Sequence, residues 1–282
     1  MKLKFTKMHG IGNDYVYIST FDQVVEDMSA LAITLSDRHT GIGGDGVIYV
    51  CPSSVADARM AMYNLDGSEG AMCGNGVRCV GKFLYDNNMI DTSRDEITVE
   101  TKSGIKILKV FKDEKGEVVE LLVNMGQAEL KAENIPVVAD TEKVIDKPLL
   151  IEDKEWNITC VSMGNPHCVT FVSDVEELPL SVIGPKFENN AIFPDRVNTE
   201  FIRVIDEKTL RMRVWERGSG ETNACGTGAC AAVVAACENG HCKKGEEVRV
   251  ILNGGDLFIT YTDEKVMMKG SATKVFTGEV EV

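Results

Sequence analysis

The sequence predicts an α+β protein made of two pseudo-symmetric mixed α/β domains. Three observations carry this. Segments with strand character outnumber those with helical character. The 282 residues suffice for two domains of ordinary size. A shift of 152 positions also superposes three landmarks without a gap. Gly12-Asn13 falls on Gly164-Asn165, Arg59-Met60 on Arg211-Met212, and Cys73-Gly74-Asn75-Gly76 on Cys225-Gly226-Thr227-Gly228. A period of that length is too long for a solenoid and indicates a duplicated unit.

In the first copy, β-branched and aromatic residues between glycine or turn signals predict strands at 3–8, 15–19, 47–51, 59–63, 96–100, 104–111 and 118–124. In the second copy the same pattern gives strands at 156–162, 168–172, 197–205, 210–215, 247–252 and 257–261. Helices are expected at 29–38, 73–86, 180–189 and along the Ala/Val/Cys-rich 225–239. The charge pattern resets near Gly126 to Pro136, where a strand ends. The expected domains are therefore 1–126 plus 271–282, carrying Cys73, and 127–270, carrying Cys225.

The formal net charge is −14 and no Lys/Arg run is long enough to follow a phosphate backbone, which argues against nucleic acid or an anionic membrane as partner. The N-terminus lacks the apolar core of a signal peptide, and no apolar run reaches the length of a membrane span. Nine cysteines are an odd number in a chain without an export signal, so reduced thiols and a cytoplasmic location are expected. A zinc site on Cys225, Cys230, Cys237, His241 and Cys242 is disfavoured: Cys225 and Cys230 diverge on a helix and no Cys-x-x-Cys hook occurs. No metal and no cofactor is expected.

Each copy delivers a strand, a glycine- and serine-rich loop, and then Cys-Gly-x-Gly opening a helix. A thiol at a helix N-terminus meets the positive end of the helix dipole and the unpaired N–H groups of the first turn. Its pKa is expected to fall from about 8.5 toward neutrality, where it serves as acid or base. The glycines keep side chains away from those N–H groups, which can then hold a carboxylate. Inversion of a carbon centre needs a base on one face and an acid on the other, and two equivalent elbows related by a pseudo-twofold axis would supply both. Cys73 and Cys225 are thus the candidate catalytic pair.

Three stretches then carry a family resemblance: Met72-Cys73-Gly74-Asn75-Gly76-Val77-Arg78-Cys79, Gly164-Asn165-Pro166-His167, and the run from Glu216-Arg217-Gly218 to Ala224-Cys225-Gly226-Thr227-Gly228. With Lys7-Met8-His9-Gly10-Ile11-Gly12-Asn13-Asp14 they resemble the diaminopimelate epimerase family over essentially the whole chain. The resemblance implies domains that are each a strand barrel wrapped around a central helix, with the active site in the cleft between them. It implies cofactor-independent epimerisation of LL-2,6-diaminopimelate to the meso form, serving lysine and peptidoglycan synthesis. The alternative is a sister racemase acting on proline, hydroxyproline or histidine.

Carried over by position, the resemblance makes Cys73 and Cys225 the acid–base residues and gives His167 and Glu216 the tuning of their pKa values. Asn13, Asn64, Asn165 and Asn198 would bind substrate amino-acid groups. Gly74-Asn75 and Gly226-Thr227 would offer N–H groups to the carboxylate, and Glu216-Arg217 would contact substrate. Arg217 would form a bidentate pair with the distal carboxylate. An asparagine beside glycine is otherwise most often a turn residue, so position relative to the elbows is what favours function. One departure stands out: Gly41-Ile42-Gly43-Gly44-Asp45-Gly46 places Gly46 where many relatives carry a substrate-contacting glutamine. The expected partner is a small amino acid. The sequence leaves the oligomeric state open between a monomer and a homodimer.

Overall fold

A computed structural model describes residues 2–282; Met1, which begins the first expected domain, lies outside the described residues. The chain divides into two compact units, Met1–Asn124 with Lys269–Val282, and Met125–Met268. Eighteen strands and four α-helices among the described residues bear out the α+β class.

In the first unit β1 (Lys2–Gly10) and β2 (Asn13–Ser19) form a hairpin, and β3 (Gly46–Cys51) adds parallel to β2. β4 (Ala58–Asn64) runs antiparallel to β3 and pairs at its end with the two-residue β5 (Glu69–Gly70). β6 (Glu96–Thr101), β7 (Gly104–Lys112) and β8 (Val118–Gly126) follow as a meander. Helix α1 (Met28–Ser36) rests on β3, where Val16, Ile18, Leu35, Val47 and Tyr49 form a core. Helix α2 (Gly74–Asp86) is different, because every residue from Gly74 to Tyr85 is buried. A helix buried on all sides must be enclosed by other elements, and its neighbours are β1, β2, β6 and β7.

The second unit repeats this order with β9 (Lys147–Ile151), β10 (Lys154–Ser162), β11 (Pro166–Phe171), β12 (Asn198–Asp206), β13 (Thr209–Glu216) and β14 (Gly220–Thr222). β15 (Glu247–Leu252) and β16 (Gly255–Tyr261) continue it. Helix α3 (Leu180–Glu188) covers a core in which Trp156, Phe187 and Phe201 meet edge to face at 5.4–6.0 Å. Helix α4 (Gly226–Glu238), buried at Gly226 and from Gly228 to Ala236, is surrounded by β10, β11, β12, β13, β15 and β16. β17 (Val266–Ser271) then leads to β18 (Thr273–Glu281), which pairs antiparallel with β1.

The duplication extends to the register. α1 and α2 recur as α3 and α4 at the same spacing of 152 positions. The pair Val47↔Tyr63 recurs as Thr199↔Trp215, and Met62↔Gly70 as Val214↔Thr222. Behind the helices the spacing slips by one, so Glu96↔Lys109 recurs as Glu247↔Thr260.

The expected strands and helices are present, with ends displaced by a few residues. The first helix stops at Ser36 instead of 38 because the Asp37 side chain accepts from the His39 and Thr40 N–H groups, forming a turn that competes with helix. β5, β9, β14, β17 and β18 were not expected. Among the described residues no helix is long and apolar enough to cross a membrane.

Candidate active site

Cys73 is the N-cap of α2. Its backbone is extended and its sulfur accepts from the Gly76 N–H at 3.3 Å, taking the place of the usual oxygen cap. The half-buried Cys73 thiol also donates to Asn13 Oδ1 at 3.2 Å. Asn13 cannot turn over freely, since its Nδ2 donates to Asp45 Oδ2 at 2.7 Å. Asp45 accepts in addition from the Asp14 backbone N–H and from Arg38. Lys7 and Arg38 also converge on Asp14 at 2.5 and 2.7 Å. Burial raises the Asp14 carboxyl, but the hydrogen bonds and charge of Arg38 and Lys7 outweigh it and hold the group below its ordinary range.

Gly74 and Asn75 form the buried first turn of α2. The Asn75 amide oxygen accepts from the buried Arg78 at 2.9 Å. Asn64 ends β4 opposite Gly46 and donates to Ser68 Oγ at 3.0 Å.

The second elbow has the same backbone but different surroundings. Cys225 caps α4, accepts from the Gly228 N–H at 3.4 Å and is only 5% exposed. Glu216, at the end of β13, takes a short hydrogen bond from the Thr222 hydroxyl and lies beside Cys225. Burial raises the Glu216 carboxyl. It also pushes the Cys225 thiol well up, reinforced by the charges of Glu216 and Glu200 and only partly opposed by Thr227 and the Gly228 N–H. This corrects the expected fall toward neutrality: at this elbow desolvation and two carboxylates outweigh the helix terminus.

His167 is fully buried, with Nδ1 2.7 Å from Glu200 Oε1 and Nε2 3.1 Å from Asn165 Oδ1. Asn165 Nδ2 donates to Thr227 Oγ1 at 3.3 Å, and Thr227 Oγ1 lies 3.6 Å from Cys225 Sγ. Asn198 accepts from the Arg217 backbone N–H at 3.0 Å and donates to the Pro166 carbonyl at 2.9 Å, so it braces the corner that carries Glu216-Arg217. Arg217 Nη1 donates to the Asp195 carbonyl at 2.8 Å.

The first unit thus gathers Asn13, Gly74 and Asn75 at Cys73, and the second gathers Asn165, His167, Glu216, Gly226 and Thr227 at Cys225. Sequence reasoning missed Asp45, Arg78 and Glu200. Asp45 had a visible signal, since it closes the Gly-x-Gly-x-Asp turn. Glu200 had a fainter one, as the single charge between Val197 and Ile202 in a stretch with strand character.

At Gly46 a Cβ would lie 2.1 Å from the Tyr63 carbonyl oxygen, so the backbone itself excludes a side chain there. Of the remaining cysteines, burial pushes Cys79 to about 11, Cys237 to about 12 and Cys242 to about 11. Thiols of that kind are inert.

The family model described as diaminopimelate epimerase matches residues 5–131 and 159–275. A diaminopimelate epimerase of Methanococcus maripaludis is 50% identical over 282 residues, covering 99% of this chain and 100% of that one. One from Acetivibrio thermocellus is 50% identical over 283 residues, with 99% of each chain covered. Among solved structures, a Bacillus anthracis phenazine biosynthesis protein of the PhzF family superposes with a TM-score of 0.70 at 19% identity, covering 100% of both chains. A hydroxyproline epimerase from Agrobacterium vitis superposes at 0.68 and 15% identity, covering 99% of this chain and 91% of that one. At such identities the structural likeness speaks for the fold.

Proposed function

The chain belongs to the diaminopimelate epimerase family, and on that premise we propose that it converts LL-2,6-diaminopimelate to the meso form with Cys73 and Cys225 as its acid–base pair. The observation that carries this is the recurrence of a cysteine N-cap, sulfur toward the N–H three residues on, at equivalent places in both units. In each direction one thiolate takes the α-proton: the C–H bond breaks and an S–H bond forms. The other thiol delivers its proton to the opposite face of the carbanion, and its S–H bond becomes the new C–H bond. The first-turn N–H groups at Gly74-Asn75 and Gly226-Thr227 suit the carboxylate on which negative charge accumulates while the α-carbon is deprotonated. Burial favours the neutral form of the Cys225 thiol, the form required in the direction in which Cys225 is the acid.

Asn13, Asn64, Asn165, Asn198 and Arg217 make up the polar set expected for a substrate with a second amino-acid head group. Gly46 contributes no side-chain contact to that set. The odd count of nine cysteines supports a reducing, cytoplasmic setting. Whether the enzyme is a monomer or a homodimer is decided by light scattering on the purified chain.

The test is turnover of LL-diaminopimelate without added cofactor, followed by product stereochemistry. Turnover of proline or histidine in its place would reject the substrate and keep the mechanism. Cys73→Ala and Cys225→Ala are each expected to lower kcat by about 10²–10⁴-fold; wild-type rates in either variant would reject the mechanism.

A further inference from the structure

Glu200 lies in the core of the second unit, fully buried, with Oε1 on His167 and no hydrogen-bond partner for Oε2 among the described residues. An isolated buried carboxylate is costly, and the duplication shows that the fold does not need one here. Position 48 is the equivalent of 200 in the first unit, and it is isoleucine. A Cβ on Gly76 would lie 2.7 Å from Ile48 Cδ1 and 3.0 Å from Met60 Cε. A Cβ on Gly228 would lie 2.6 Å from Glu200 Oε1 and 3.1 Å from Met212 Cε. The two elbows are therefore backed by the same packing, with an aliphatic group in one and a carboxylate in the other. Close packing does not explain Glu200, and its hydrogen bond does.

Both ring nitrogens of His167 face oxygens: Nδ1 faces Glu200 Oε1 at 2.7 Å and Nε2 faces Asn165 Oδ1 at 3.1 Å. An amide oxygen has no hydrogen to give, so Nε2 must carry one. The short contact at Nδ1 needs a second hydrogen, carried by the ring as an imidazolium against the Glu200 carboxylate. The pair together holds two protons and has no net charge. The direction of the rest of the chain follows. Nε2–H fixes the Asn165 amide so that Nδ2 donates to Thr227 Oγ1. The Thr227 oxygen, already an acceptor, then has its own hydrogen available for Cys225 Sγ at 3.6 Å.

We propose that Glu200 is a positioning residue for the Cys225 half of the reaction, setting through His167 and Asn165 the direction in which the Thr227 hydroxyl points. In that direction the O–H meets the sulfur when Cys225 has given up its proton and carries a negative charge. With only one hydrogen on the ring, that hydrogen would sit on Nδ1 against the carboxylate. Nε2 becomes an acceptor, Asn165 turns over, and the Thr227 hydrogen swings away from sulfur. The ionisable groups facing the pair are Cys225 on α4, Glu216 on β13 and Cys168 on β11. None of them supplies a positive charge, so Glu200 is what holds the extra proton on the ring.

This rests on the epimerase reading, and its test has a readout that does not. In protein labelled with 15N-histidine, the His167 signals are identified by their loss in His167→Gln. Protons on both ring nitrogens are expected near neutral pH in the wild type, and on one nitrogen in Glu200→Gln and Glu200→Ile. Glu200→Ile copies the first unit's own packing and is expected to fold. Its kcat on LL-diaminopimelate should fall about tenfold to a hundredfold, as for loss of an outer partner, with KM little changed. Glu200→Asp should restore part of both the ring signal and kcat. A singly protonated wild-type ring, or wild-type kcat in Glu200→Ile, would overturn the proposal. If the wild-type chain fails to turn over LL-diaminopimelate, the substrate assignment falls while the ring spectrum still decides the role of Glu200.

Discussion

Cys73 and Cys225 share a backbone and differ in company. Cys73 is half-buried and faces an amide oxygen, whereas Cys225 is buried beside Glu216 and Glu200. At Cys73 the orientation of Asn13 comes from Asp45, whose carboxylate can only accept and so claims the Asn13 Nδ2 hydrogens. The Asn13 oxygen is left toward the thiol. Asp45→Ala removes that constraint without touching the sulfur. Losing a hydrogen bond to a charged group costs about 1.5–3 kcal/mol, which if felt only in orientation lowers kcat/KM by roughly tenfold or more. Steady-state kinetics on the variant check this. An unchanged kcat/KM would mean that Asn13 is held by something other than Asp45. Asp45 is legible in the sequence as the close of the Gly-x-Gly-x-Asp turn, but the residue type alone does not show that its carboxylate reaches Asn13.

Elements that follow a period or a motif were legible, and those that do not were missed. The Cys-Gly-x-Gly runs marked α2 and α4 because a capping residue and a glycine turn leave a local imprint. β5 and β14 span two and three residues, too short for any alternation to register. β9 carries Pro148 near its start, and β18 is mostly exposed, with threonines and a glycine in place of an apolar face. The Glu200–His167 contact joins residues on parallel neighbours, β11 and β12, and only the sheet register brings them together. Gly46 stands at the head of β3. A glutamine contact is missing there because the strand runs against the Tyr63 carbonyl, with no space for a Cβ. Gly46→Gln is therefore expected to destabilise the chain, by about 1–3 kcal/mol as for overpacking, and to leave KM for diaminopimelate no better. Urea unfolding and KM decide it; a stable variant with a lower KM would show that β3 readily accepts the side chain.

Duplication gives the whole molecule two thiols of equivalent placement and unequal environment, and this has a consequence in isotope labelling. Thiol hydrogens exchange with solvent, so in D₂O the thiol that serves as acid carries deuterium before substrate binds, while the thiolate opposite it carries none. If one unit's thiolate removes the α-hydrogen and the other unit's thiol supplies the replacement, each inversion places one solvent deuterium at the inverted carbon. A reversal before inversion returns the original hydrogen from the sulfur that took it. Early in the reaction the meso product should therefore carry deuterium at that carbon while unreacted LL-substrate carries none. A single group acting on both faces would instead exchange its hydrogen between events and label substrate and product alike. Mass spectrometry of the two isomers, separated at low conversion, distinguishes the cases. Equal early labelling of both pools would remove the need for a second thiol. It would also leave the recurrence of Cys73 as Cys225 without a chemical reason.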